Sequence, residues 1–221
     1  MSQDNQTEPA PGPASRSSDR PAGADWILAF DTSAAHCAAA LLCGERVILR
    51  DEPMLKGQAE RLVPMLQELL AEAGIGWHDL SVIGVGTGPG NFTGVRISVA
   101  LARGLALGLG IPAVGISSFE AMALGAALPV TVIMDARGDE VYVQDFNDDG
   151  PGTARLIPAQ DLPLQGRVIG LGKDAPRFSI AEAIARIAAS RRQSPQPRPA
   201  PFYLRGADAA PPSDPPPVIL P

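Results

Sequence analysis

The chain has 221 residues, 45% hydrophobic and 19% charged, with a formal net charge of −6. That length suits one compact domain or two small lobes, with a core large enough to need no covalent staples. An acidic chain without a basic stripe excludes a stand-alone nucleic-acid binder, because holding phosphates takes clustered Lys and Arg.

Residues 1–25 are rich in Ser, Pro, Asp and Ala and almost free of large apolar side chains. They read as a disordered extension, with no apolar leader segment. Trp26 to Ser33 starts the fold as a short apolar strand ending in Asp31-Thr32-Ser33. His36 to Leu42 and Val47 to Asp51 are two further strands, and short turns make the three an antiparallel meander. Cys37 and Cys43 lie within this meander, too far apart along a strand to bridge, and read as reduced core cysteines of a cytoplasmic protein. With His36 and His78 as the only histidines, no zinc-site spacing exists.

Gln58 to Ala73 predicts a helix, because Leu62, Met65, Leu66, Leu69 and Ala73 form one apolar stripe. Pro64 is tolerated if the helix starts near Glu60 or Arg61, and Gly74 ends it. Leu80 to Gly86 is a strand. It runs into Gly86 to Arg96, where four glycines and Pro89 fall within eleven residues. This is a tight strand-to-helix loop, either cradling a phosphate or packing closely on another backbone. It fits neither G-x-x-x-x-G-K-[ST] nor G-x-G-x-x-G. A helix follows from Phe92 or Thr93 to Leu109, with Thr93 as candidate N-cap. Ala100, Gly104 and Gly108 line one face of it, a row that lets another helix backbone approach. No run of about 18 apolar residues exists, so no membrane span is expected.

Ile111 to Ile116 is a short strand, and Ser117 with Glu120 opens a helix over Phe119 to Leu128. Val130 to Asp135 is a strand, Ala136 to Asp139 a turn, Glu140 to Phe146 a strand, and Asn147 to Gly152 a turn cluster. Val168 to Gly172 is a last strand and Ile180 to Ala189 a helix. Residues 193–221, with ten prolines in 29 residues, are an extended or disordered tail.

Two strand-led units thus appear, the second poorer in helices, each with a strand ending in Asp, at Asp31 and Asp135. They imply two α/β lobes with a mixed sheet each. Open α/β sheets bind ligands beyond the carboxyl ends of their strands, so both aspartates would face one cleft.

Five segments carry a resemblance: Ile27 to Ser33, Arg61 to Leu66, Gly88 to Ile97, Ile133 to Tyr142, and Phe202 to Arg205. In this order, over about 26 to 205, the chain resembles the TsaB (YeaZ) family. Gly-Pro-Gly-x-Phe-Thr-Gly-Val-Arg is the most specific segment. The resemblance implies an actin/Hsp70-like, ribonuclease-H-like α/β fold of two lobes. These are a first lobe over 26–113, a reduced second lobe over 114–178, and a helix over 179–192 returning to the first. It also implies a non-catalytic bacterial subunit in the making of N6-threonylcarbamoyladenosine at position 37 of tRNAs that read ANN codons. Its implied partners are the catalytic paralogue TsaD and the ATPase TsaE, with tRNA reached only through the complex and no membrane involved. Two departures stand out. Gln58 occupies a position where the family often has His, and the H-x-x-x-H metal motif of the catalytic paralogue is absent.

For the sites, two alternatives stay open. Asp31, Thr32, Ser33, Gly88, Gly90, Thr93, Arg96 and Asp135 are candidates for a weakly held nucleotide (ATP or ADP) or anion, with no tightly bound cofactor or metal. Each also has a structural reading as cap, turn or ion pair. An actin-like Mg-ATP-dependent ATPase or small-molecule kinase is the enzymatic rival. Ser33 with His36 suggests a hydrolase only if a third group orients the pair, and none is apparent. No catalytic residue is assigned, and a metalloprotease lacks a chelating cluster. For the helices, the resemblance implies a seam formed by Ala100, Gly104 and Gly108 with part of the Leu62, Met65 and Leu69 stripe. Without the partner, the same surface could close a homodimer.

Overall fold

The computed structural model describes residues 25–162 and 166–204. The predicted disorder over 1–25 and the tail beyond Leu204 therefore lie outside the described residues, Asp25 excepted.

The first sheet begins with the expected meander: β1 (Trp26–Asp31), β2 (His36–Cys43) and β3 (Arg46–Pro53), paired antiparallel. After helix α1 (Gln58–Ala73), strand β4 (Leu80–Gly86) joins β1 in parallel. After helix α2 (Phe92–Leu109), β5 (Ala113–Ile116) joins β4 in parallel. The order is β3-β2-β1-β4-β5, a mixed sheet. Because β5 belongs to this sheet, the lobe boundary expected at 113/114 falls instead after Ile116.

Period-two alternation assigns the two faces of this sheet. Leu28, Phe30, Cys37, Ala39 and Leu41 face α1 and α2, and pack against Leu62, Met65, Leu66 and Leu69. Ile27, Ala29, Ala38, Ala40 and Val82 face the other way, toward α4 (Ile180–Arg191). That second face is built from small residues on both sides. A Cβ at Gly84 would come within 2.9 Å of Ile184 and 3.0 Å of Ala188. The Ala-rich helix therefore lies almost on the strands, as expected for a helix returning to the first lobe.

The second lobe follows α3 (Ser118–Ala123), which carries the Ser117–Glu120 capping box foreseen in the sequence. This helix is shorter than predicted. Gly125 adopts φ +75 against the Arg177 side chain, and Pro129 follows, so the chain cannot continue as a helix. Strands β6 (Val130–Asp135) and β7 (Glu140–Asn147) form an antiparallel hairpin. β8 (Gly150–Pro151) and β9 (Arg155–Pro158) both pair β7, and β10 (Arg167–Ile169) pairs β6 in parallel. The last strand stops at Ile169 rather than Gly172 because Gly170, Leu171 and Gly172 all have positive φ. β9 had no counterpart in the sequence reading. The second lobe has a mixed sheet but no helix as long as α1 or α2, which is the reduced second lobe expected.

α1 covers Gln58–Ala73 as predicted, and because it starts at Gln58 rather than near Glu60 or Arg61, Pro64 sits inside it and leaves the Glu60 carbonyl without its usual i+4 donor. By length and composition, α2 is apolar enough to cross a membrane, although Arg96, Ser98 and Arg103 break any continuous apolar run. Its inner side, with Val95, Val99 and Ala102, packs on the first sheet.

Candidate functional site

β1 delivers Asp31, Thr32 and Ser33 to the end of the first sheet, all three buried. Asp31 Oδ1 accepts three hydrogen bonds. They come from the Ser33 amide at 2.9 Å, the Ser33 hydroxyl at 2.8 Å and His36 Nε2–H at 2.9 Å. Asp31 Oδ2 has no partner and lies against Gly86, where a Cβ would be 1.8 Å away. The bond to Asp31 holds the His36 pKa above the ordinary imidazole value. Burial works against this, and the charges of Asp31 and Asp51 add to it. Ser33, His36 and an acid therefore do meet, but in the wrong order for a hydrolase. The carboxylate sits between serine and histidine, so the imidazole makes no hydrogen bond to the serine hydroxyl as a triad requires. Thr32 donates its hydroxyl to the Gly94 carbonyl at 2.6 Å and is fully buried, so it does not reach a ligand in the cleft.

The glycine loop packs on this turn. A Cβ at Gly90 would meet the Ser33 carbonyl at 2.2 Å, and one at Gly94 the Thr32 carbonyl at 1.8 Å. The Asn91 amide donates to the Ser33 carbonyl at 2.6 Å. Close approach of two backbones thus accounts for Gly90 and Gly94, and the Asp31 carboxylate accounts for Gly86. The cap of α2 is Asn91, not Thr93, because Asn91 Oδ1 accepts from the Thr93 and Gly94 amides at 3.0 Å each. Two of the N–H groups that an anion would use are therefore taken. Gly88 is buried, with its carbonyl accepting from Ser118 N–H at 2.8 Å, so it lines no cleft. Arg96 is exposed. Its guanidinium lies 3.7 Å above the Phe92 ring and its Nε donates to the Tyr203 hydroxyl at 3.1 Å. Its recorded partners are aromatic, in place of the acid or anion expected.

A cleft of about 830 Å³ opens between the lobes. Ser33, Gly90, Thr93 and Asp135 line it, and Asn91, Arg137, Phe92, Tyr142 and Tyr203 complete it. Asp31 instead borders a smaller cavity of about 230 Å³, walled by Met122, Met134, Phe178 and Ile180. The structure thus brings together four of the eight candidate nucleotide residues and sets Asp31, Thr32, Gly88 and Arg96 outside. Among the described residues, no group of three His, Cys, Asp or Glu is placed to hold a metal. Burial pushes the Cys37 thiol up to about 11, so it is inert at neutral pH.

The helices form the other candidate surface. Leu62, Met65 and Leu69 are fully buried in the chain's own core and cannot meet a partner. That corrects the expected seam: their stripe is spent on the sheet. Ala100, Gly104 and Gly108 are exposed, with open space around both glycines, and Leu107 is 82% exposed beside them. On α1, the outward apolar residues are Val63, 37% exposed, and Pro64. The apolar pattern of α1 counts Val63 as a widening of its stripe, yet Val63 faces outward, and Leu107 stands off the small-residue row of α2 and was missed. Tyr203 was missed because its partners Phe92 and Arg96 are more than 100 positions away, whereas His36 was weighed with Ser33 but not with Asp31, its hydrogen-bond partner five residues before it.

Two lobes with mixed sheets, hinged over a cleft between two Asp-ended strands, define the actin/Hsp70-like class of α/β proteins. The family profile "TsaD: tRNA N6-adenosine threonylcarbamoyltransferase" matches residues 54–210. The Escherichia coli tRNA threonylcarbamoyladenosine biosynthesis protein TsaB is 38% identical, over 57% of this chain and 57% of its own. An uncharacterized Mycobacterium bovis protein is 30% identical over 84% of this chain and 94% of its own. YeaZ from Pseudomonas aeruginosa superposes with a TM-score of 0.67 at 27% identity, covering 81% of this chain and all of that one. The chain belongs to the TsaB (YeaZ) family. It spans between 51% and 57% of the length of the Haemophilus influenzae and E. coli TsaB proteins it matches.

Proposed function

We propose that the chain takes part in the biosynthesis of tRNA threonylcarbamoyladenosine as a non-catalytic subunit in the cytoplasm. In this reading it binds and activates a TsaD-like catalytic paralogue, and a TsaE-like ATPase joins the pair. tRNA is reached only through the assembly. A nucleotide, if held, is held weakly near the subunit boundary.

The observation that carries this reading is the outer face of α2. Ala100, Gly104 and Gly108 leave an apolar strip of small residues on the surface, with the exposed Leu107 beside it. Glycine inside a helix costs about 1 kcal/mol relative to alanine, a cost that close helix packing offsets. Val63 and Pro64 on α1 are exposed apolar residues as well. The buried Asp31 and the committed Thr32 hydroxyl further support a site with no chemistry of its own. The test is reconstitution: tRNA modification by the paralogue and the ATPase, with and without this chain. Full activity without it would refute the reading. Gly104→Leu should abolish co-purification with the paralogue while leaving the circular dichroism spectrum unchanged.

A second reading rests on the cleft, where Ser33, Gly90, Thr93 and Asp135 face one another. It makes the chain an actin-like Mg-ATPase or small-molecule kinase. Mg-ATP hydrolysis by the purified chain, lost in Asp135→Asn and Asp31→Asn, would favour it.

A further inference from the structure

We propose that residues 199–204 form a strap that clasps the two lobes together, with Tyr203 as its latch on α2. Pro195, Pro197, Pro199 and Pro201 alternate up to and into this segment and remove every second backbone donor from 195 to 201. Such a sequence can enter neither a helix nor the middle of a sheet, so it runs extended over the surface. In an extended segment, successive side chains point to opposite sides. Here those sides belong to different lobes. Phe202 and Leu204 pack with Phe119, Val132 and Tyr142 toward the second lobe. Tyr203, between them, turns to α2, with its ring centroid 4.7 Å from Phe92 and its hydroxyl accepting from Arg96 Nε at 3.1 Å.

The backbone is anchored as well. Phe202 N–H donates to the Thr87 carbonyl at 2.8 Å, at the start of the glycine loop. Pro199 is buried against Gly115, where a Cβ would sit 3.4 Å away. The strap thus touches β4's exit, β5, α2 and the second sheet, and its last three described residues line the cleft. Phe202 is partly buried while Tyr203 is 40% exposed, so the latch is the part that solvent or a ligand reaches first.

The device reads out as the spread of distances between the lobes. Spin labels are placed at Leu107→Cys on α2 and Asp149→Cys in the second lobe, in full-length protein carrying Cys43→Ser; buried Cys37 stays unlabelled. Tyr203→Ala should widen the distance distribution about twofold, and Tyr203→Phe, which keeps the ring stack, should widen it less. In parallel, the Phe202 amide should exchange about tenfold faster in Tyr203→Ala while α4 amides keep their protection. Should Tyr203→Ala unfold the chain, Arg96→Gln, which removes the hydroxyl's donor from outside the strap, decides the matter by the same two readouts. Unchanged distances and unchanged Phe202 exchange in the folded variant would overturn the proposal.

Discussion

Gly94 and Gly104 lie in the same helix and answer to different constraints. A methyl on Gly94 would press to 1.8 Å from the Thr32 carbonyl, a backbone atom that cannot step aside. Gly94→Ala should therefore cost roughly 3 kcal/mol in urea unfolding, the upper range for overpacking. Gly104 faces open space, so Gly104→Ala should gain about 0.5 to 1 kcal/mol from helix propensity. Equal effects at the two positions would refute this assignment of glycine roles. His36 offers a second test. Its folded pKa is raised, chiefly by the Asp31 hydrogen bond, so the folded chain holds the proton more tightly than the unfolded chain. Its contribution is complete below the ordinary value of about 6.5 and fades as pH rises through the raised one. The stability gap between wild type and His36→Gln should thus be widest at about pH 6 and close at higher pH. A gap independent of pH would exclude the ion pair. At this scale the sequence is legible wherever a residue acts through its near neighbours. The cap of Ser117 with Glu120 is one case. Thr32 with Gly94, 62 positions apart, is invisible to any local pattern, as is Tyr203 with Arg96.

Helix α1 has two faces with different duties. The Leu62, Met65 and Leu69 stripe packs on the first sheet, while Val63 and Pro64 look outward. Leu69→Ala should cost about 2 to 5 kcal/mol of stability by leaving a core cavity. Val63→Asp should change stability by less than about 0.5 kcal/mol, yet weaken capture by the catalytic paralogue if the outer face is the seam. Chemical denaturation and a pull-down on the same two variants separate core from interface; loss of capture in neither would redirect the search away from α1. Periodicity locates α1, α2 and the meander because each has a long apolar pattern. It cannot say which of two apolar surfaces a helix turns to its own core, and it is the resemblance that implies a seam with part of the Leu62, Met65 and Leu69 stripe. β9 escaped because its four residues have no clean alternation and lean on β7 for their pairing. α3 ends at Ala123 rather than Leu128 because Gly125 turns the chain with φ +75, a local stop hidden within the apolar run over 119–128.

For the whole molecule, architecture was legible because both Asp-ended strands and the reduced second lobe follow from element order alone. The cleft's contents were not, because they depend on which side chains folding turns inward. Ser33 and Thr93 reach it, whereas Asp31 is held behind it by Ser33 and His36. Those contents separate the two functional readings by linkage. A ligand that binds only the folded chain stabilises it by RT ln(1 + [L]/Kd), about 2.7 kcal/mol at a hundredfold excess over Kd. For a chain of this size that is a rise in Tm of roughly 5 to 10 °C. A scaffold subunit should show such a shift with its catalytic paralogue, and the shift should vanish in Gly104→Leu. Millimolar Mg-ATP alone should leave Tm within about 1 °C, since the Thr32 hydroxyl and two amides at the start of α2 are already satisfied. The reverse pattern would pass the role to the ATPase reading: a large shift with Mg-ATP, abolished by Asp135→Asn, and none with the paralogue. The outer face of α2 would then need another occupant to cover Leu107.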